Sequence, residues 1–363
     1  MSRRLTDKRP ERGEAGPPPL VPPAGLPQQA AAPGPSPHHQ KLALYAGAAL
    51  VVLIVLAILL LASGRQPLEL VPRGQSLVQV LDVRRFFDGP VYAALAAADH
   101  PILDALESKE ERYRISLRRD AAVLITTDDS TIVLGRFQPE LLRDGFEETV
   151  ELREKELNRG RQTPVQLQIK QSEVEGHTYW YCDQEGVDCA FAAVGSSLAC
   201  FGDRWGVRRF LKGRAGVRGN ALDDRAFAQA YSPTIARGAF LYRLEKPGGK
   251  LLTARLQGVL EGAGEGVRAA LFALGASRRH VALVVRFAMR DPAAAQALAA
   301  RLAKASVQPE LRTLLGADAT IRITRSEATV TFDSLAPLDS FEEMVEKDKR
   351  GQGASLILAL LAG

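Results

Sequence analysis

The sequence LALYAGAALVVLIVLAILLLA, residues Leu42 to Ala62, divides the chain into a short N-terminal tail and a much longer C-terminal part. Its 21 residues include no charge and no proline, and Tyr45 has the only polar side chain. A helix of this length spans about 31 Å, which matches the hydrocarbon core of a bilayer. In lipid every backbone polar group must be paired within the segment. The stretch therefore predicts a single N-terminal transmembrane helix.

The charges around this run bear on its orientation. The basic residues that precede it are Arg3, Arg4, Lys8, Arg9, Arg12 and Lys41. Basic residues also follow the run closely, so the number of basic residues on each side does not by itself set the orientation. The short tail favours an orientation with the N-terminus inside the cell. We expect a single-pass protein of the cytoplasmic (inner) membrane with its large part extracytoplasmic. A cleaved signal peptide is the alternative, although the run exceeds the roughly 7 to 15 apolar residues typical of one.

The tail and the linker flank the apolar run. Ten prolines fall within residues 1–40, and large apolar side chains are almost absent there. Such a composition cannot bury enough apolar surface to fold, so residues 1–41 are expected to be a disordered cytoplasmic tail. Residues 63–75 contain several glycines and prolines and are expected to be a linker.

Charge and small residues limit the choice of partners. The tail has six basic and three acidic residues, so +2 of the net charge of +5 belongs to residues 42–363. That balance does not indicate a nucleic-acid partner, and membrane lipid is expected instead. Ala43 and Gly47 have the small-xxx-small spacing that can bring two helices together. A homodimer through this run, or contact with another envelope protein, is one interpretation, and the alternative is that small residues are simply common in such helices.

The part after the linker has alternating strand and helix patterns. Apolar runs at 121–127 and 131–137 flank the turn sequence DDS at 128–130, which predicts a hairpin. Asp291-Pro292 predicts the start of a helix, with Asp as its N-cap. Apolar residues at helical spacing predict another helix over Leu251 to Leu274.

The order of these elements occurs twice, in residues 76–232 and 233–363. Each series has a strand, a long helical stretch, further strands, a helix, a hairpin and a final helix. Few residues coincide, so the duplication is inferred from order alone. Alternating strands and helices with one-faced hairpins predict an α+β fold. The predicted fold is thus one transmembrane helix followed by a duplicated ectodomain of antiparallel sheets with helices packed on one face.

Several segments of the chain carry a family resemblance. They are QVLD (79–82), EGHTYWY (175–181), CAFAAVG (189–195), SSLACFGD (196–203), GNALDDRAFAQAYSP (219–233) and GAFLYRL (238–244). In these the chain resembles a group of uncharacterised membrane-anchored bacterial envelope proteins with duplicated α+β ectodomains. The resemblance covers residues 70–350 and implies an exported, membrane-tethered protein. It transfers no catalytic residue.

The globular part offers few groups for catalysis. Its histidines are His100, His177 and His280, and no G-x-S-x-G nucleophile elbow occurs. Gly262 to Gly266 does not follow a predicted strand, so a kinked helix is expected there and not a phosphate-binding loop. We expect no catalytic residue, no cofactor and no metal site.

The three cysteines are Cys182, Cys189 and Cys200. Cys182 ends one predicted strand and Cys189 begins the next, so a hairpin would bring both thiols to its closing end. An extracytoplasmic domain lies where disulfides persist, and this pair is the disulfide candidate. Cys200 is expected to be a buried, small apolar residue. The alternative, a Cys₃His zinc site with His177, lacks the short C-x₂₋₄-C spacing of structural zinc sites.

The densest basic run contains Arg204, Arg208, Arg209 and Lys212, with Trp205 and Phe210 among them. Arg204, Arg208 and Lys212 share one helical face at i, i+4 and i+8. These four residues are the candidate site for a polyanion such as anionic lipid headgroups. A solvated helix is the alternative.

Together these patterns predict a non-catalytic, single-pass, membrane-anchored envelope protein with an extracytoplasmic binding or assembly ectodomain. Two alternatives stay open. One is an envelope enzyme whose site residues are scattered in the sequence. The other is a receptor that couples an external ligand to the proline-rich tail.

Overall fold

The computed structural model of the chain describes residues 67–217, 219–249, 256–262, 264–304, 308–315, 318–351 and 355–362. The tail and the apolar run, and with them the predicted transmembrane helix, lie outside the described residues. Within the described part of the chain, no helix is long and apolar enough to cross a membrane. The described fold is therefore α+β without a membrane-spanning helix, which corrects the predicted fold class.

One antiparallel sheet of twelve strands runs through the described part of the chain. The strands are β1 (Leu77–Asp82), β2 (Ala121–Thr127), β3 (Ser130–Gly135), β4 (Lys170–Val174), β5 (His177–Gln184), β6 (Val187–Val194), β7 (Leu198–Gly202), β8 (Leu241–Glu245), β9 (Val267–Ala276), β10 (His280–Met289), β11 (Thr320–Ser326) and β12 (Thr329–Pro337). Their order across the sheet is β11-β12-β10-β9-β8-β1-β2-β3-β7-β6-β5-β4. The prediction of separate sheets is wrong, because β1 pairs with β8, with Gln79 opposite Arg243.

The described helices connect these strands. They are α1 (Val83–Phe87), α2 (Pro90–Ala97), α3 (Pro101–Tyr113), α4 (Leu117–Asp120), α5 (Pro139–Asn158), α6 (Arg204–Arg214), α7 (Arg225–Ala230), α8 (Pro233–Gly238), α9 (Gln257–Leu260), α10 (Pro292–Leu302), α11 (Gln308–Leu315), α12 (Leu338–Lys349) and α13 (Leu356–Ala362). Short 3-10 helices lie at Pro67–Leu70, Ala221–Asp223 and Gly264–Gly266.

Helices cover both faces of the sheet, which corrects the prediction of helices on one face. On one face, α6, α7 and α8 share a core with strand residues such as Val80 and Tyr242. On the other face, α5 packs around Phe191, while α10, α12 and α13 pack around Phe287. The cause lies in the central strands. All five residues of β8 are buried, so both of its faces need an apolar cover.

The predicted helix over Leu251 to Leu274 is wrong in its later part, because β9 occupies Val267–Ala276, and α9 (Gln257–Leu260) is a single helical turn within the range. Most of its ten residues are buried, on both faces of the sheet. Such a strand lacks the apolar-polar alternation of a half-exposed strand, and its spacing of apolar residues resembles that of a helix. The expected kinked helix at Gly262 to Gly266 is a 3-10 turn at Gly264–Gly266.

Where local signals are strong, the structure confirms the predicted elements. β2 and β3 pair as the predicted hairpin around the turn at 128–130. Asp291 is the N-cap of α10, and its Oδ1 accepts the Ala294 N–H at 2.8 Å. Both features are set by neighbouring residues, so the sequence pattern alone determines them.

The two halves of the sheet repeat one strand order outward from the centre. The first half runs β1-β2-β3-β7-β6, and the second runs β8-β9-β10-β12-β11, with β5 and β4 added beyond β6. In each half, a helix follows the third strand from the centre, which is β3 or β10. That third strand then pairs with the strand that comes last in the sequence of its half, which is β7 or β12. The duplication of residues 76–232 and 233–363 stays a prediction, and this common order supports it.

Candidate functional site

A wide groove lies between α5 and the hairpin of β5 and β6. Its volume is about 1060 Å³. The α5 wall includes Phe146 and Leu152, and the hairpin wall includes Val187 and Cys189. Leu152 is 54% exposed, which is unusual for a leucine beside a core. The groove thus presents apolar surface to solvent along one side of the sheet.

Local sequence explains how both walls are held. In α5, Leu142, Phe146 and Val150 recur every four residues and are buried against the sheet, so Leu152 is turned away from that core. The hairpin turn is Glu185-Gly186, whose φ values of 53° and 79° are both left-handed. Two such residues match the type I′ turn that fixes the register of a two-residue hairpin. The groove is therefore built on rigid elements.

Most carboxylates of the groove are held in ion pairs. Arg114 donates two hydrogen bonds to Glu148, at 2.8 and 2.5 Å. The other pairs are Arg153–Glu156 at 2.7 Å and Arg161–Glu185 at 3.3 Å. Asp188 Oδ1 accepts the backbone N–H of Arg204 at 2.9 Å. Because these are exposed pairs, each contributes at most about 1 kcal/mol to stability, and their main effect is to orient the rim.

The cysteines of the hairpin lie directly opposite each other. Cys182 pairs with Cys189 in the β5–β6 register, as a disulfide between them requires. All three thiols are free in this structure. Burial raises the pKa of the Cys189 thiol to about 12, with the charge of Cys182 as a further cause, and burial also raises the pKa of Cys182. Both thiols are protonated at neutral pH. The disulfide stays a prediction.

The sheet separates Cys200 from the other two cysteines. Cys182 and Cys189 lie on the α5 face, whereas Cys200 is fully buried in the core under α6. A zinc ion could not reach all three, so the alternative Cys₃His site is wrong. Throughout the described ranges, no group of three or more His, Cys, Asp or Glu side chains could hold a metal ion.

The predicted polyanion residues all lie on α6, but they are not equivalent. Arg204 pairs with Asp183 at 2.6 Å and lies over the Tyr181 ring. Arg209 forms an ion pair with Asp129. Arg208 stacks on Trp205, with its guanidinium 5.3 Å from the ring centroid.

Two of the four candidates are therefore available to a ligand. Arg204 and Arg209 neutralise carboxylates of the sheet and its turns. Neither Arg208 nor Lys212 has an ion-pair partner within the described part of the chain. As a polyanion site, the four residues stay a prediction, now centred on Arg208 and Lys212.

Sequence patterns did not indicate the groove. Its walls, α5 and the β5–β6 hairpin, are distant in sequence and meet through the sheet order. Leu152 could have indicated the groove from the sequence, because it is an apolar residue on the polar face of an amphipathic helix. The ion pairs Arg114–Glu148 and Arg161–Glu185 join residues 34 and 24 positions apart, which no local pattern reveals.

The fold and groove define an α+β protein built on one antiparallel sheet, with an open groove at one side. No protein-family model and no curated protein matches the chain. Among solved structures it is similar to crystal forms I and III of TP0453, at 12% and 11% identity. The two matches cover 79% and 78% of this chain, and each covers 99% of the TP0453 chain. Their TM-scores are 0.43 and 0.42. Similarity at this level carries no functional argument.

Proposed function

We propose that the protein is a non-catalytic, single-pass envelope protein, anchored to the cytoplasmic membrane by the apolar run at residues 42–62. Its large part, outside the cytoplasm, is a binding or assembly domain, and the groove along α5 is where it binds a partner. One observation carries this proposal: the groove combines exposed apolar surface with carboxylates already held in ion pairs. Interfaces typically have this composition, with an apolar centre and a polar rim.

The lining of the groove argues for binding and against catalysis. A nucleophilic enzyme needs an activated Ser or Cys beside a general base. The described lining residues include no histidine and no lysine. Cys189 is the thiol in the groove, and its pKa of about 12 leaves almost no thiolate at neutral pH. Among the described lining residues, no thiolate is therefore paired with a histidine or lysine base.

Site-specific crosslinking in living cells tests the proposal. A photoreactive benzoylphenylalanine replaces Leu152 in the groove or Leu335 on β12, which is 44% exposed and far from the groove. Light is expected to give a discrete adduct from position 152 and none from position 335. Equal adducts at both positions, or none at 152, would overturn the proposed binding site.

A cysteine variant separates the binding and enzyme hypotheses. Cys189→Ala removes the thiol of the groove but leaves its apolar surface and ion pairs intact. Under the binding proposal, the adduct from position 152 forms to the same extent in Cys189→Ala. If Cys189 instead reacted covalently with a substrate, mass spectrometry of the wild-type protein would find that group on Cys189 and not on Cys200.

A further inference from the structure

Helix α6 lies beside the point where the described chain begins. Phe210 and Leu211 of α6 share a core with Leu68 and Leu70 of the first 3-10 helix. The Pro72 ring is so close to α6 that a Cβ on Gly213 would meet its Cγ at 3.8 Å. This helix therefore packs directly on the segment that follows the apolar run.

The connection between the apolar run and the first described residue, Pro67, is short. Four residues separate Ala62 from Pro67. An extended chain advances at most about 3.6 Å per residue, so Pro67 lies within about 18 Å of the end of the run. If the apolar run partitions into a bilayer, so short a connection keeps Pro67 and the residues that pack on it close to the membrane surface.

The outward face of α6 has the composition of a membrane-surface contact. Trp205, Arg208 and Lys212 fall on one side of the helix at i, i+3 and i+7. Trp205 is 66% exposed, and Arg208 lies over one face of its ring, so most of this large apolar ring faces solvent. Tryptophan favours the interface between headgroups and acyl chains, and the basic side chains around it attract anionic headgroups.

Neighbouring residues extend this basic surface. Arg73 is exposed, and Val217 is 57% exposed. The backbone N–H of Arg73 donates to Gly219 at 3.0 Å, which holds this arginine next to the end of α6. Glu69 is an exposed acid on the adjacent 3-10 helix. Asp223, which lies against Gly219, is a second exposed acid near Arg73.

Contacts with the turn between β2 and β3 fix the orientation of α6. Asp203 caps the helix, and its Oδ1 accepts the Gly206 N–H at 2.6 Å. Gly206 lies so close to the turn between β2 and β3 that a Cβ there would be 2.6 Å from the carbonyl oxygen of Asp129. The ion pair from Arg209 to Asp129 adds a second attachment. The outward face is therefore presented in one orientation.

We propose that Trp205, Arg208 and Lys212, with Arg73, form a surface that lies on the anionic lipid headgroups of the membrane. This inference rests on the proposed membrane anchoring and adds a second, weaker contact to it. Each basic residue near an anionic surface strengthens such a contact about fivefold. The effect of the contact is to hold the α+β domain in one orientation, rather than to attach it.

The test uses the full chain with Trp180→Phe, so that Trp205 is the remaining tryptophan. The protein is reconstituted in phosphatidylcholine vesicles with or without phosphatidylglycerol, and brominated lipid quenches tryptophan near the acyl chains. Quenching of Trp205 is expected to rise at least threefold with phosphatidylglycerol, and to return to the lower value in 0.5 M salt. Flotation of the vesicles measures anchoring separately, so that loss of anchoring and loss of the α6 contact are distinguishable.

Matched variants sharpen the test. Arg208→Gln with Lys212→Gln is expected to abolish the rise in quenching, whereas Arg322→Gln with Arg325→Gln, on edge strand β11, leaves it unchanged. Vesicles of phosphatidylcholine with soluble dextran sulfate test for a free polyanion. Protection of Trp205 from iodide by dextran sulfate, without a rise with phosphatidylglycerol, would overturn the lipid proposal in favour of a polyanion. Quenching independent of phosphatidylglycerol in wild type would also overturn it.

Discussion

The carboxylate of Asp129, in the turn between β2 and β3, forms an ion pair with the guanidinium of Arg209 on α6. Asp129 Oδ1 also accepts hydrogen bonds from Thr127 Oγ1 at 3.0 Å and from Gln75 Nε2 at 3.2 Å. The backbone carbonyl of Asp129 accepts the Asp203 N–H at 3.0 Å. One turn residue therefore connects the segment before β1, two central strands and the basic helix.

Asp129→Asn is expected to destabilise the domain by about 2 kcal/mol, because the substitution removes a charged hydrogen bond at a nearly buried position. Urea unfolding of the purified protein in detergent, followed by intrinsic fluorescence, measures this change. Glu342→Gln, at an exposed position on α12, is the matched control and should alter stability by less than about 0.5 kcal/mol. Equal stability of the two variants would contradict the role given to Asp129.

Arg243 and Glu245 form a buried ion pair near the centre of the sheet. Their exposed fractions are 1% and 0%, and the Arg243 Nε to Glu245 Oε2 distance is 2.9 Å. Arg243 also donates to Gln79 Oε1 on β1 at 3.3 Å. Removing one member of a buried ion pair typically costs about 3 to 5 kcal/mol.

We therefore expect Arg243→Met and Glu245→Leu each to be strongly destabilising. The double variant should be less destabilised than the sum of the two, because it leaves no buried charge. A double-mutant cycle from thermal unfolding measures the coupling. Strict additivity of the two substitutions would show that the pair does not act as a unit.

The cysteine pair gives a redox prediction. Protein taken from an oxidising compartment is expected to contain a Cys182–Cys189 disulfide, since the two residues are cross-strand partners. Alkylation without reduction, followed by mass spectrometry, should label neither residue, and Cys200 should be labelled only after unfolding. The bond would close a small loop and contribute about 2 to 3 kcal/mol. Label on both Cys182 and Cys189 in such protein would refute the disulfide.

Asp224 gives a prediction of pH dependence. Burial alone would raise the pKa of Asp224, but the hydrogen bond from Lys246 at 2.7 Å and those from the first turn of α7 outweigh it, so the pKa is lowered. A lowered folded-state pKa contributes stability above the unfolded-state value near 4, and this contribution is lost as the pH falls through the folded-state value.

Asp224→Asn should therefore have a lower melting temperature than wild type at pH 7. The difference between the two melting temperatures should become smaller as the pH falls below about 4. Glu342→Gln again serves as the control, with little change at either pH. A difference that stays constant from pH 7 to pH 3 would show that the carboxylate charge of Asp224 contributes no stability.

Local chemistry determined what could be predicted from this sequence. The β2–β3 hairpin and the Asp291 cap each depend on residues within a few positions, and both are confirmed. β9 was mistaken for a helix because burial on both faces removes its alternation. The single sheet depends on the β1–β8 pairing, in which Val80 lies opposite Tyr242, and residues so far apart leave no local pattern. The groove arises from the same long-range order and was missed for the same reason.

The most direct test of the central claim is the reactivity of Leu152→Cys in a variant whose three native cysteines are replaced by alanine. A membrane-impermeant maleimide is applied to intact cells and to the purified protein, with Leu335→Cys as the control. We predict that Leu335→Cys reacts equally in both, and that Leu152→Cys reacts at least tenfold more slowly in cells, where a partner fills the groove. Equal rates for Leu152→Cys in cells and in purified protein would contradict the claim that this groove binds a partner outside the cytoplasm.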